Sequence, residues 1–104
     1  MSTNPVNIAS RIISVAQAEV LPGKETEVVK HLEAIRAAAL SEAEPGCYTY
    51  RVMRYGTRFL VFEEYENLEA LKQHTDGAPF QTFASDISNM LVGGEIKLNF
   101  YSAL

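Results

Sequence analysis

His74, one of two histidines in this 104-residue sequence, is the best candidate for proton chemistry near neutral pH, and Glu63 is the carboxylate that could assist it. His74 closes the run LEALKQH, and an ordinary imidazole titrates close enough to neutrality to accept a proton from a phenol or an activated C–H group. Glu63 stands in RFLVFEEY on the same side of its strand as Val61 and Tyr65. A carboxylate among apolar strand residues needs a partner or water, because burying it alone is costly. Either Glu63 pairs with His74 or an arginine, or that face is wet. A plainer reading makes Glu63 a structural acceptor and His74 a surface or capping histidine at the end of a short helix. If His74 is the base, His74→Ala is expected to change thermal stability little, because a residue at a helix end near Gly77 is not expected to be a packing keystone.

Other residues could bind rather than react. Tyr48, Tyr50, Tyr65, Phe59 and Phe83, with Phe62, offer faces for a flat aromatic molecule, although most aromatics in a small domain are core. Arg51 and Arg54 could steer an anion; in the plainer reading they occupy a solvated face or a dimer salt bridge. His31 borders an apolar helix stripe and reads as a boundary residue. Cys47 has no adjacent base and reads as an inert thiol.

The elements that must position these groups follow from periodicity. Residues Ile8 to Val20 form a first strand, closed by Pro22-Gly23. Val28, Leu32, Ile35 and Ala39 recur at helical spacing in a helix from Glu25 to about Glu42, ended by Glu44-Pro45-Gly46. CYTYRVMR alternates as a second strand, with Tyr48, Tyr50 and Val52 on one side and Thr49 and Arg51 on the other. Tyr55-Gly56-Thr57 is a hairpin turn. In the third strand Phe59, Val61, Glu63 and Tyr65 face one way, and Leu60, Phe62 and Glu64 the other. Asn67 caps a short helix, with Glu69 in its first turn. Pro79 opens a further helical piece running to about Leu91, with Phe80, Phe83, Ile87 and Met90 as its buried stripe. Gly93-Gly94 leads into a last strand in which Ile96, Leu98 and Phe100 alternate with Lys97, Asn99 and Tyr101.

Strand, helix, strand, strand, helix, strand is the ferredoxin-like βαββαβ order, an α+β fold with an antiparallel sheet and both helices on one face. Apolar and aromatic residues on both sides of the strands leave the second sheet face in need of cover, and a two-fold homodimer with sheets face to face is expected. One domain spanning residues 1–104 is expected, with residues 1–7 as a flexible N-terminus.

Composition narrows the partners. Nine Lys and Arg stand against 13 Asp and Glu, for a net charge of −4. Neither that balance nor the scatter of the cations suits a nucleic-acid partner. One cysteine allows no intrachain disulfide, and no ligand cluster or Gly-rich phosphate loop suggests a metal or flavin, so no cofactor is expected. The opening MSTNPVNIAS lacks the pattern of a secretion signal, and no apolar run approaches the ~20 residues that span a bilayer. A cytoplasmic protein without a membrane partner is expected.

EPGCYTYRVMR followed by FLVFEEYENLEALKQH resembles the antibiotic biosynthesis monooxygenase family. The shared pattern is Glu44 to Cys47 before the second strand, Glu63 and Tyr65 closing the third, Asn67 as cap and a helical His74; VLPGKE and the Phe80 helix extend the likeness over nearly the whole chain. The resemblance implies a dimeric α+β barrel with a small cavity between sheet and helices in each subunit. It also implies oxygenases acting on quinols or anthrones without metal or flavin, alongside haem-degrading members and an isomerase of a small phosphorylated signal. A Ser-Pro-His-Phe segment that often follows the helical His is GAPF here, with Pro79 in place of the second His. The Asn, Trp and His of the haem-degrading branch correspond to Ala16, His74 and Ala84, and the chain has no Trp. Haem degradation is therefore not expected. Through the resemblance, His74 becomes a general base assisted by Glu63 in a cofactor-independent monooxygenase acting on a small electron-rich aromatic. Two alternatives remain: an isomerase or lyase using the same base on a small carbonyl compound, and a non-catalytic barrel binding a metabolite or protein.

Overall fold

The computed structural model describes residues 4–8 and 10–104. Strands β1 (Ile12–Glu19), β2 (Cys47–Tyr55), β3 (Arg58–Tyr65) and β4 (Lys97–Ser102) form one antiparallel sheet in the order β2-β3-β1-β4. Helices α1 (Glu25–Ala39), α2 (Leu68–Asp76) and α3 (Ala78–Ala84) complete the ferredoxin-like α+β arrangement. Among the described residues, no helix is long and apolar enough to cross a membrane.

Register explains which residues meet. Tyr50 pairs with Glu63, Val52 with Val61 and Ala16 with Val61, so Tyr50, Val52, Phe59, Val61, Glu63, Tyr65, Ile12, Ser14 and Ala16 share one sheet face. Val28, Leu32, Ile35 and Ala39 of α1 close over this face, joined by Phe83, Met90 and Leu91. A second apolar cluster joins Tyr65 to Ala70 and Leu71 of α2. The opposite face carries Ile13, Val15, Arg51, Met53, Leu60 and Phe62 in cross-strand rows, none of them fully buried.

The ends of several elements differ from expectation for local reasons. β1 starts at Ile12 rather than Ile8, because Asn4 caps a 3-10 turn at Pro5–Asn7 through a 2.9 Å bond to the Val6 amide. Part of the segment expected to be flexible is thus a capped turn, and residues 1–3 lie outside the described residues. α1 stops at Ala39 rather than Glu42, where Ser41 Oγ donates to the Ala38 carbonyl and accepts from the Ala43 amide, a local turn competing with the helix. α3 ends at Ala84 instead of running to Leu91. Ser85, Asp86, Ser88 and Asn89 are weak helix formers. Leu91 must also be extended to bridge Val20, where the Leu21 amide donates to the Met90 carbonyl at 2.8 Å. Of the expected stripe, Phe83 and Met90 are buried, whereas Phe80 and Ile87 are half-buried.

Candidate active site

His74 is the centre of a buried polar cluster. It lies on α2, started by Asn67, whose side chain accepts from the Ala70 amide at 2.9 Å as expected of a cap. Imidazole Nδ1 lies 2.7 Å from Glu44 Oε1, and Nε2 lies 3.6 Å from Glu63 Oε1, beyond hydrogen-bond length. The Tyr65 hydroxyl donates to the same Glu63 oxygen at 2.5 Å. His74 is only 3 % exposed, Glu63 7 %, Glu44 8 % and Tyr65 0 %. The rings of Tyr50, Tyr65 and Phe80 surround the imidazole at centroid distances of 5.5, 5.4 and 5.8 Å.

The Glu44-Pro45-Gly46-Cys47 segment reaches this cluster by pressing onto α2. A Cβ placed on Gly46 would lie 2.5 Å from that of Ala70, so only glycine permits the approach. The Glu66 amide fixes the segment from the other side by donating to the Gly46 carbonyl at 2.8 Å. Gly46→Ala is therefore expected to destabilise the fold by about 2–3 kcal/mol through overpacking. Thermal unfolding checks this, and adding Ala70→Gly should recover part of the loss despite the ~1 kcal/mol penalty of a helical glycine.

Enclosing two carboxylates with one imidazole has an electrostatic consequence. Burial, reinforced by the negative charge of Glu44 and opposed by the Tyr65 hydrogen bond, pushes the Glu63 carboxyl up to about 7. Near neutrality Glu63 can thus hold or release a proton, as acid–base chemistry requires. Burial and then the Glu63 charge raise the Tyr50 and Tyr65 phenols far above their ordinary range, leaving them neutral. The half-buried Cys47 thiol is pushed up to about 11 by burial and by Glu44 and Glu63, so it stays protonated, as an unreactive thiol should.

The expected site is only partly assembled. His74, Glu63, Tyr50 and Tyr65 come together. Tyr48 does not join them: a register shift between Cys47 and Thr49 makes it the extra residue of a bulge. It is exposed, with its hydroxyl donating to Glu66 at 2.9 Å and Arg11 stacked 4.4 Å over its ring. Phe59 shares the Glu63 face but sits four residues away, ~13 Å along the strand, under the Arg54 guanidinium. Phe83 packs in the main core and against His31 at 5.4 Å. Arg51 points to the opposite sheet face, where it pairs in register with Phe62. The picture of His74 as a surface or capping residue is also corrected, since its ring is enclosed on every side just named. Glu44 and Phe80 are the members sequence reasoning did not assign to the site; Glu44 was visible as the one charged side chain of the Glu-Pro-Gly-Cys motif.

A cavity of about 620 Å3 lies elsewhere, at the hairpin end of the sheet, lined by Met53, Arg54, Tyr55, Arg58, Leu60 and Lys97 among others, and neither His74 nor Glu63 borders it. Among the described residues, no group of three or more His, Cys, Asp or Glu side chains is arranged to hold a metal ion.

Residues 11–86 match the family model described as antibiotic biosynthesis monooxygenase, and the chain belongs to that family. Among solved structures, a Caulobacter crescentus protein bearing the same family name is similar at 26% identity and a TM-score of 0.81, covering 91% of each chain. Rv0793 from Mycobacterium tuberculosis superposes with a TM-score of 0.82 at 20% identity, over 91% of this chain and 96% of that one. A conserved protein from Methanosarcina mazei does so with a TM-score of 0.81 at 24% identity, over 91% and 94%. Likeness at the identities of the last two speaks for the fold alone. No curated protein matches the sequence.

Proposed function

We propose that this protein is a cofactor-independent monooxygenase for a small electron-rich aromatic of the quinol or anthrone type. One observation carries the reading: a buried imidazole whose Nε2 faces a carboxyl that titrates near neutrality, within a wall of aromatic rings. His74 Nε2 takes a proton from an acidic C–H or O–H of the substrate, and Glu63 assists by sharing it. For an anthrone-type CH2, the carbanion gives one electron to dioxygen and the radical pair combines into a C–O bond. The protonated hydroperoxide then loses water to leave a carbonyl, so one oxygen atom enters the product and the other leaves as water. The enclosed surroundings exclude bulk solvent from the anion. Tyr50 and Tyr65 are almost wholly buried, so half-buried Phe80 at the start of α3 is the ring that must yield to admit a substrate.

Oxygen uptake by chelator-treated protein with a panel of quinols and anthrones tests the reading. Turnover of hydroxy-ketones without oxygen would assign the same base to an isomerase or lyase instead. The cavity at the hairpin end, remote from His74, favours a second reading in which the fold binds a metabolite without transforming it. Tight binding there with silence in both assays would decide for it.

The same proposal includes a homodimer in the cytoplasm. Among the described residues no helix covers the sheet face bearing Ile13, Val15, Leu60 and Phe62, and a second copy is the simplest cover. A lone cysteine suits a reducing compartment. Sedimentation equilibrium at micromolar concentration is expected to give twice the chain mass; a monomer throughout would remove the dimer from the proposal.

A further inference from the structure

We propose that Glu44 is a positioning residue for His74, holding the imidazole proton on Nδ1 so that Nε2 keeps the lone pair that receives the substrate's proton. This rests on the reading of His74 as the base. A carboxylate is an acceptor, so the 2.7 Å contact makes Nδ1 the donor and leaves Nε2, on the Glu63 side, as the basic atom. The opposite tautomer would aim the Nδ1 lone pair at the carboxylate and occupy Nε2 with hydrogen. Glu44 is buried, and His74 is its one side-chain partner among the described residues. A buried carboxylate is costly unless paired, so its place is explained by that contact.

The main chain that carries the carboxylate is held in place on both sides. The Glu44 amide donates to the Ser41 carbonyl at 3.2 Å, the Cys47 amide donates to the Glu44 carbonyl at 3.1 Å, and Gly46 rests on Ala70. Glu44 thus stands to His74 as the third member of a triad stands to its histidine, setting tautomer and ring orientation without touching substrate.

Nitrogen NMR of the full chain labelled with 15N-histidine reads the tautomer directly, with His31→Gln identifying the His74 signals. The neutral wild-type ring is expected to carry its proton on Nδ1, and Glu44→Leu to move it to Nε2. A wild-type ring protonated on Nε2, or a tautomer indifferent to Glu44→Leu, would overturn the proposal. Kinetics separate positioning from mere support of the fold. Glu44→Gln keeps the shape, but its amide can turn NH2 toward Nδ1 and no longer enforces the tautomer. With an active quinol or anthrone it is expected to lower kcat by about 10²-fold at nearly unchanged KM. Combined with His74→Gln, it should add no further loss, because it acts through the imidazole; multiplying losses would refute that route. If Glu44→Leu does not fold, the wild-type tautomer and this double-variant cycle still decide. Undiminished turnover in His74→Gln would remove the base reading, whereas the tautomer experiment bears on Glu44 alone.

Discussion

His74→Ala is expected to lower the stability of the protein by about 3 kcal/mol, because it removes the side-chain partner that buried Glu44 has among the described residues and empties a space walled by three aromatic rings. For a domain of this length that corresponds to a fall in Tm on the order of 15 °C. The expectation from sequence, a residue whose loss hardly matters, is reversed by its 3 % exposure. Thermal unfolding of wild type, His74→Ala and His74→Gln settles the matter. Glutamine keeps a donor for Glu44 and should lose appreciably less than alanine. Equal and small losses in both variants would mean that Glu44 does not depend on the imidazole.

Glu63→Gln is expected to gain stability relative to wild type as pH rises. The sign follows from the raised titration of Glu63, from an ordinary 4.5 to about 7. The folded protein holds the Glu63 proton over a range in which the unfolded chain has already released it. Its contribution is therefore fully present below pH 4.5 and is lost progressively up to about pH 7. Glutamine cannot ionise, and its carbonyl can still accept from Tyr65. The stability difference between variant and wild type should shift in favour of glutamine by on the order of 3 kcal/mol across that window. Urea unfolding at a series of pH values measures it, and comparison with wild type cancels the other carboxylates. A constant difference would show that Glu63 titrates normally; a shift toward wild type would show that it is held ionised in the fold.

Much of the fold was legible in the sequence because the signals are local. Alternation in RFLVFEEY placed Phe59, Val61, Glu63 and Tyr65 on one face, and all four are buried there. Gly56, with φ of 61°, turns the hairpin at the expected position, and Asn67 caps α2. The misses arose where one residue or one distant contact changes the outcome. The bulge at Tyr48 reverses its side relative to Tyr50, which strict alternation cannot foresee. Arg51 was sound as an outward residue, but its face could be matched with the site only after the register was known. The Glu44–His74 contact spans 30 residues and depends on a glycine resting on a helix, so neither residue alone announces it. The end of α3 was overrun because its apolar spacing continues while the Val20–Leu91 bridge demands extended backbone.

In the proposed chemistry His74 acts as a base toward a substrate that then meets dioxygen. The most direct test of that role is the rate of oxygen uptake by wild type and His74→Gln, side by side at neutral pH, with whichever quinol or anthrone the wild type consumes. The proposed chemistry predicts a loss of about 10²-fold or more in a variant that remains folded by circular dichroism. Uptake at the wild-type rate by folded His74→Gln would contradict it, and if Glu63→Gln were then inactive, the base would be the carboxyl of Glu63.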